Sequence, residues 1–142
     1  MKHRAPFLLL FSFLVAWGAA AQQTEVLTVK ITPQVVERDQ SVTWQQALTR
    51  TTRPGVPVVV RIDAESLIIR VTVTPFMRGN DFLLVVQGDV KQVGTGGARR
   101  SSTLQSLMVP PGEPIAFFPL GREPGESGRQ MVVMMTVESQ RD

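Results

Sequence analysis

Alternation of apolar and polar residues constrains the fold of this chain more than any other feature of its sequence. It is most regular from Ser66 to Thr74, where every second position is apolar: Leu67, Ile69, Val71 and Val73. Successive side chains of a β-strand point to opposite faces, so this segment is predicted to be a strand with one buried face. Further strands are predicted at 24–32, 56–62, 82–90, 101–109, 115–120 and 130–138.

Proline and glycine mark the predicted ends of these strands. The first strand is expected to end at Pro33 and the strand of 66–74 at Pro75. Residues 78–81 are predicted to form a hairpin turn, residues 94–97 a flexible loop and residues 110–113 a type II turn. The predicted fold class is mainly β, an antiparallel β-sandwich or a partly open barrel of about seven strands.

The segment 42–51 fits two structures. Thr43 and Gln46 form a capping-box pattern, which favours one short helix. Alternation of apolar residues at Val42 and Trp44 favours a strand instead. The expectation is a short helix near 42–51.

The first 21 residues have the three zones of a secretory signal peptide: a basic start, an apolar run over 7–17 and then small residues. The pattern predicts cleavage between Ala21 and Gln22, with Ala19 as the other small residue that the peptidase requires. The apolar run is shorter than the roughly 20 residues of a membrane-spanning helix. We therefore expect an exported protein, periplasmic or extracellular, with a single β domain over 22–138 and a frayed tail over 139–142.

The exported part lacks side chains on which many enzymes and metal sites depend. The chain has no Cys, and its one His, His3, lies in the signal. Nucleophilic catalysis of the Ser-His or Cys-His type is excluded on this ground, and so is a zinc site built on His or Cys. We expect no catalytic residue, no cofactor and no bound metal.

The charge and the aromatic content of the chain limit the classes of binding partner that we expect. The formal net charge of +3 falls to +1 without Lys2 and Arg4 of the signal, and the remaining charges are scattered. A nucleic-acid partner is therefore not expected. The chain has no Tyr and few other aromatic residues for membrane interfaces, so no transmembrane span is expected in the mature chain.

A candidate contact surface consists of bulky apolar and basic residues close to predicted turns. Its members are Phe76, Met77, Arg78, Arg99, Arg100, Phe117 and Phe118. Large apolar groups at exposed loops are typical of protein-binding surfaces, and paired arginines suit an anionic partner. The alternatives are core packing for the apolar members and a solvated strand start for Arg99 and Arg100.

The stretch 71–76 ends a strand in Pro-Phe, and 80–86 continues as a turn and an apolar strand. An Arg-Ser-Ser-Thr strand at 100–103, a Gly-Glu turn at 112–113 and a final apolar strand at 131–137 follow in order. Over about residues 71–138 this succession resembles the C-terminal β-domain of bacterial secretins, the outer-membrane pores of secretion and pilus systems. Phe118-Pro119 stands where that family has Gly-Gly, and the family's Pro- and Gly-rich segment before the last strand is reduced to a short polar loop. With these departures the resemblance implies a remnant or an accessory module rather than a pore.

These observations favour an exported, non-enzymatic β-domain that acts as an envelope-associated structural or protein-interaction module. Its expected partner is another envelope protein, and its oligomeric state stays open. Two alternatives remain. One is a small-ligand carrier with an apolar cavity inside a closed barrel. The other is a glycan-active enzyme that uses two carboxylates on either side of a groove.

Overall fold

The computed structural model describes residues 25–64, 66–124 and 127–140, and this part of the chain is all β. The expected signal peptide, with Ala19, Ala21 and Gln22, lies outside the described residues. The strands are β1 (Val26–Val36), β2 (Val42–Gln45), β3 (Leu48–Thr52), β4 (Val58–Ala64), β5 (Leu67–Arg78), β6 (Asp81–Gly94), β7 (Gly97–Val109), β8 (Ile115–Phe117) and β9 (Gln130–Gln140).

The strands form two antiparallel sheets, as predicted for a β-sandwich. The meander sheet has the order β4-β5-β6-β7, and each of its strands pairs with the next along the chain. The terminal sheet has the order β2-β1-β9-β8, with β3 also paired to β1. The first and last strands are therefore neighbours, and they pair from Val26 opposite Gln140 to Val36 opposite Gln130. The sheets do not close into a barrel within the described chain.

The core lies between the two sheets and follows from the alternation seen in the sequence. Every second residue of each long strand points inward, and the two inner faces share one apolar cluster. The largest fully buried side chains come from both sheets: Phe82, Ile69 and Leu84 from the meander sheet, and Phe117, Leu27, Ile31 and Met135 from the terminal sheet. Each such side chain contributes about 1.5–3 kcal/mol on burial.

Two prolines lie inside strands rather than at their ends, which corrects the predicted ends at Pro33 and Pro75. The carbonyl of Pro33 accepts the Gln46 N–H at 3.1 Å, but Pro33 has no N–H to donate in return. The partner strand is interrupted at that point, between β2 and β3. The carbonyl of Pro75 likewise accepts the Gly55 N–H at 2.7 Å, just before β4 begins. Each proline therefore occupies a place where a strand neighbour is missing.

The short helix expected near 42–51 is wrong, because this segment forms β2 and β3. Its register with β1 is continuous, from Leu27 opposite Thr52 to Gln34 opposite Gln45. Strand pairing with β1 thus overrides the local capping pattern. The expected tail also begins too early, since β9 runs to Gln140.

Two turn predictions differ in outcome. Residues 110–113 form the expected turn, in which the Glu113 N–H donates to the Pro110 carbonyl and Gly112 has φ +75°. Residues 94–97, predicted as a flexible loop, form a tight hairpin turn, because Gly94 and Gly97 pair with each other. The β6–β7 hairpin is therefore continuous up to a tight turn.

Candidate binding surface

The outer face of the meander sheet is the side of β4–β7 that points away from the core. The four strands are in register, so the outward residues of neighbouring strands form rows across this face. Two successive rows at one end are rich in charge. They consist of Asp63, Ile68, Lys91 and Arg100, and of Arg61, Arg70, Asp89 and Ser102.

Most residues of the two charged rows line an open depression of about 640 Å³, which we name the cation groove. Its lining includes four cationic side chains, Arg61, Arg70, Lys91 and Arg100. Asp89 is the one carboxylate among its lining residues. The groove therefore carries an excess of positive charge, which is a large share of the formal net charge of +3 of the full chain.

Like charges lie directly opposite each other at two places in the groove. Arg61 of β4 pairs with Arg70 of β5, and Lys91 of β6 pairs with Arg100 of β7. Directly opposed like charges on adjacent strands are destabilising. The ion pair of Arg61 with Asp63 offsets part of the first repulsion. An anion between the members of either pair would relieve what remains.

The carboxylates near the groove already have partners. The Arg61 Nε donates to both carboxylate oxygens of Asp63 at 2.9 Å. Asp89 accepts from the Ser102 hydroxyl at 2.8 Å and from the Gln87 amide at 3.1 and 3.2 Å.

The remaining cations lack such partners. Within the described part of the chain, Arg70, Lys91 and Arg100 form no ion pair. Among the described residues, Arg61 is the groove cation that pairs with a carboxylate.

The other half of the same face carries exposed apolar side chains with polar residues between them. Leu104 and Met108 of the edge strand β7 are 68% and 56% exposed, and Val59 on β4 is 52% exposed. Phe76 on β5 is also exposed, and it lies opposite the half-buried Leu83 of β6. We name Val59, Phe76, Leu104 and Met108 the apolar half.

The outer face of the terminal sheet has a different character. The outward residues of its central strands β1 and β9 include Thr28, Thr32 and Thr136. The ion pair between Lys30 and Glu138, with a 3.7 Å separation, also lies there. No large apolar side chain of β1 or β9 is exposed. On the edge strand β2 of the same sheet, Val42 and Trp44 are 47% and 40% exposed. The two sheets differ in that the meander sheet has its exposed apolar groups beside a groove with four cations.

The structure divides the candidate contact surface predicted from the sequence. Phe76, Arg78 and Arg100 share the outer face of the meander sheet. Arg99 is exposed but points to the opposite side of β7, because it pairs with Gln92 and adjacent strand residues alternate. Met77 is half-buried against the core.

The two consecutive phenylalanines of the predicted contact surface differ in their burial. Phe117 is fully buried between the sheets, so it cannot contribute to an exposed surface. Phe118 is half-buried, and the guanidinium carbon of Arg122 lies 5.6 Å from its ring centroid. This distance is within the range of a cation–π interaction, so the Arg122 side chain covers one face of the Phe118 ring.

The candidate contact surface predicted from the sequence did not include Arg61, Arg70 and Lys91. Their outward phase was visible in the alternation, but their proximity depends on the register of three hairpins. Symmetric pairing about each short turn is the signal that could have found them, since it places Arg61 opposite Arg70 and Lys91 opposite Arg100.

Other kinds of site find little support in the described chain. Residues 25–64, 66–124 and 127–140 contain no cluster of three or more metal-ligating side chains. The same part of the chain has no helix that is long and apolar enough to cross a membrane.

No protein-family model, curated protein or solved structure matches the chain.

Proposed function

We propose that this domain is a non-enzymatic interaction module of the cell envelope, which binds another protein through the outer face of the meander sheet. The observation that carries the proposal is the joint exposure of the apolar half and the cation groove on one continuous face. Exposed apolar patches beside charged groups are typical of protein-binding surfaces.

The apolar half supports a protein partner in particular. Leu104 and Met108 stand on the long edge strand β7, with Leu83 and Val85 of β6 half-buried beside them. A partner that covers these side chains removes apolar area from water, which favours association by about 25 cal/mol per Å² before the costs of ordering. Arginine is enriched at such interfaces because its planar group binds carboxylates in two places.

The two alternatives fit this face less well. A glycan-active enzyme of the common type needs two carboxylates, about 5–10 Å apart, on either side of its substrate. Among the described residues that line the cation groove, Asp89 is the one carboxylate, and it is held by Ser102 and Gln87. The nearby Asp63 is bound to Arg61. A small-ligand carrier needs an enclosed, mostly apolar cavity, whereas the groove is an open, charged depression.

Photo-crosslinking in the producing cell tests the proposal. A photoreactive residue is placed at Leu104 or Met108 of the full chain, and at Thr32 or Thr136 on the terminal sheet as matched controls. We expect one discrete crosslinked protein from the first two positions and none from the controls. Leu104→Arg in the Met108-labelled chain should remove the crosslink while the melting temperature stays unchanged.

The proposal fails if positions on the two sheets give the same products, or if the Met108 crosslink survives Leu104→Arg. It also fails if neither meander-sheet position crosslinks to a protein.

A further inference from the structure

We infer that the cation groove binds an extended acidic segment of a protein partner, through two carboxylate groups held on either side of Asp89. This inference rests on the proposed function and specifies the chemistry of the partner. Its basis is the two pairs of like charges, Arg61 with Arg70 and Lys91 with Arg100. The two members of each pair lie opposite each other on adjacent strands.

The geometry of the sheet gives the spacing of the two subsites. Adjacent strands lie about 4.8 Å apart, and successive outward residues of one strand lie about 6.7 Å apart. The two cation pairs are displaced by two strands and by one row. Their centres are therefore about 12 Å apart, which is close to the separation of side chains four residues apart in an extended peptide.

Asp89 gives the groove its division into two subsites. It lies between the pairs, opposite Arg70 on one side and opposite Ser102 on the other. The Ser102 hydroxyl and the Gln87 amide hold its carboxylate in place. An incoming anion is repelled from this centre and drawn to the cation pairs beside it.

The shape and setting of the groove favour a protein segment over a membrane surface. The cations line a depression rather than a protruding edge, so a narrow chain reaches them better than a plane of lipid head groups does. The groove also adjoins the apolar half on the same face. A segment with both acidic and apolar side chains matches this succession.

Peptide binding to the full chain tests the inference. The probe is a fluorescent nine-residue peptide of Ser and Thr with Glu at its third and seventh positions, and the comparison peptide has Gln at both. We expect the Glu peptide to bind at least tenfold more tightly at low salt, and we expect its binding to weaken as salt screens the charges.

Charge variants locate the site. Arg70→Gln and Arg100→Gln should each weaken binding about three- to tenfold, and Arg70→Lys should recover part of the loss. Arg50→Gln, which removes an exposed charge from β3, is the matched control and should have little effect. Asp89→Asn should strengthen binding about threefold, because it removes the repulsion and keeps the shape. A purely structural role of Asp89 predicts no gain.

Several results would overturn the inference: equal binding of the Glu and Gln peptides, an equal loss in Arg50→Gln, or no gain in Asp89→Asn. Binding to anionic phosphatidylglycerol vesicles without binding to the peptide would assign the groove to a lipid surface instead. If the Leu104 crosslink persists in an Arg70→Gln, Arg100→Gln chain, the groove does not hold the partner, although the proposed function stands. If the peptide binds as expected but no crosslink forms, the proposed function fails and the groove remains an acidic-peptide site.

Discussion

The ring of Phe117 lies directly against Gly88, and the two residues belong to opposite sheets. A Cβ atom at position 88 would lie 2.9 Å from Cε1 and 3.0 Å from Cζ of Phe117, and 3.2 Å from Cβ of Pro119. The glycine lies on β6, in the inward phase that elsewhere carries Val86 and Val90. Its missing side chain leaves the space that the phenylalanine fills, which lets β8 approach β6.

Gly88→Ala is therefore expected to destabilise the domain by about 1–3 kcal/mol, because overpacking forces the sheets or the ring to shift. Chemical denaturation measures the loss. Gly96→Ala is the matched control, since a Cβ there meets nothing within 4 Å. Adding Phe117→Leu should make Gly88→Ala less costly than it is in the wild-type background. An equal cost in both backgrounds would contradict the proposed contact.

Ile69→Asp is expected to unfold the domain. Ile69 is 1% exposed on the inner face of β5, so the variant places an unpaired charge in the core. Val59→Asp is the control, because that side chain points outward and is 52% exposed. Circular dichroism during heating compares the two. A cooperative Ile69→Asp protein with an unchanged melting temperature would show that the phase of β5 is wrong.

Pro33→Val is expected to join β2 and β3 into one strand. The Gln46 N–H already donates to the carbonyl of residue 33 at 3.1 Å. In an antiparallel pair of this kind, the new N–H of residue 33 would donate to the Gln46 carbonyl. The gain of a hydrogen bond and the loss of proline stiffness are both about 1 kcal/mol, so stability changes little. Hydrogen exchange by NMR is the decisive measurement, with the Gln46 amide as the internal reference. Exchange of the position 33 amide at the rate of an unfolded chain would refute the pairing.

The turn between β1 and β2 contains a pH-sensitive contact. The Ser41 hydroxyl, which donates to Asp39 at 2.5 Å, and the Ser41 N–H at 3.0 Å lower the pKa of the Asp39 carboxyl. The folded state therefore binds this proton less readily than the unfolded state. The resulting stabilisation is fully present above the ordinary pKa of about 3.9 and is lost as pH falls through the lower folded value.

Ser41→Ala is accordingly expected to raise the pKa of Asp39 towards its ordinary value. An NMR titration of the Asp39 carboxyl carbon measures the change. Thr43→Ala is the control, because the Thr43 hydroxyl donates to the Val35 carbonyl rather than to Asp39. An unchanged Asp39 titration in Ser41→Ala would assign the lowered pKa to another cause.

The meander sheet was predictable from the sequence because its strands follow one another along the chain. The regular alternation of β5 and the doubly apolar start of β6 each identify a strand, and residues 78–81 mark the turn between them. Local pattern and tertiary pairing agree there, so reading the pattern was enough.

The region around β2 and β3 was not predictable in this way. The capping-box pattern of Thr43 and Gln46 is local, whereas the hydrogen bonds that decide the structure come from β1. The predicted strand ends at Pro33 and Pro75 are wrong for a related reason. Whether a proline ends a strand depends on which neighbour its missing N–H faces, and that neighbour lies elsewhere in the chain.

The candidate surface was predictable only in part. Phe76, Arg78 and Arg100 were selected as bulky or basic residues near turns, and they do lie on one face. The cation groove arises from the combined register of four strands, so single-residue reasoning could not assemble it. Phe117 was placed at the surface because nothing local distinguishes a loop aromatic from one that fills the space beside Gly88.

The pairing of β1 with β9 is expected to form late when this domain folds. The paired residues are about 100 positions apart, whereas each hairpin of the meander sheet joins immediate neighbours. Contacts between distant segments form slowly because a large loop must close first. A growing chain can therefore assemble β4–β7 early, while the edge of β1 that pairs with β9 stays without its neighbour until β9 has been made. The last strand made completes the terminal sheet. A chain truncated before it would expose an unpaired strand edge, which is prone to aggregation.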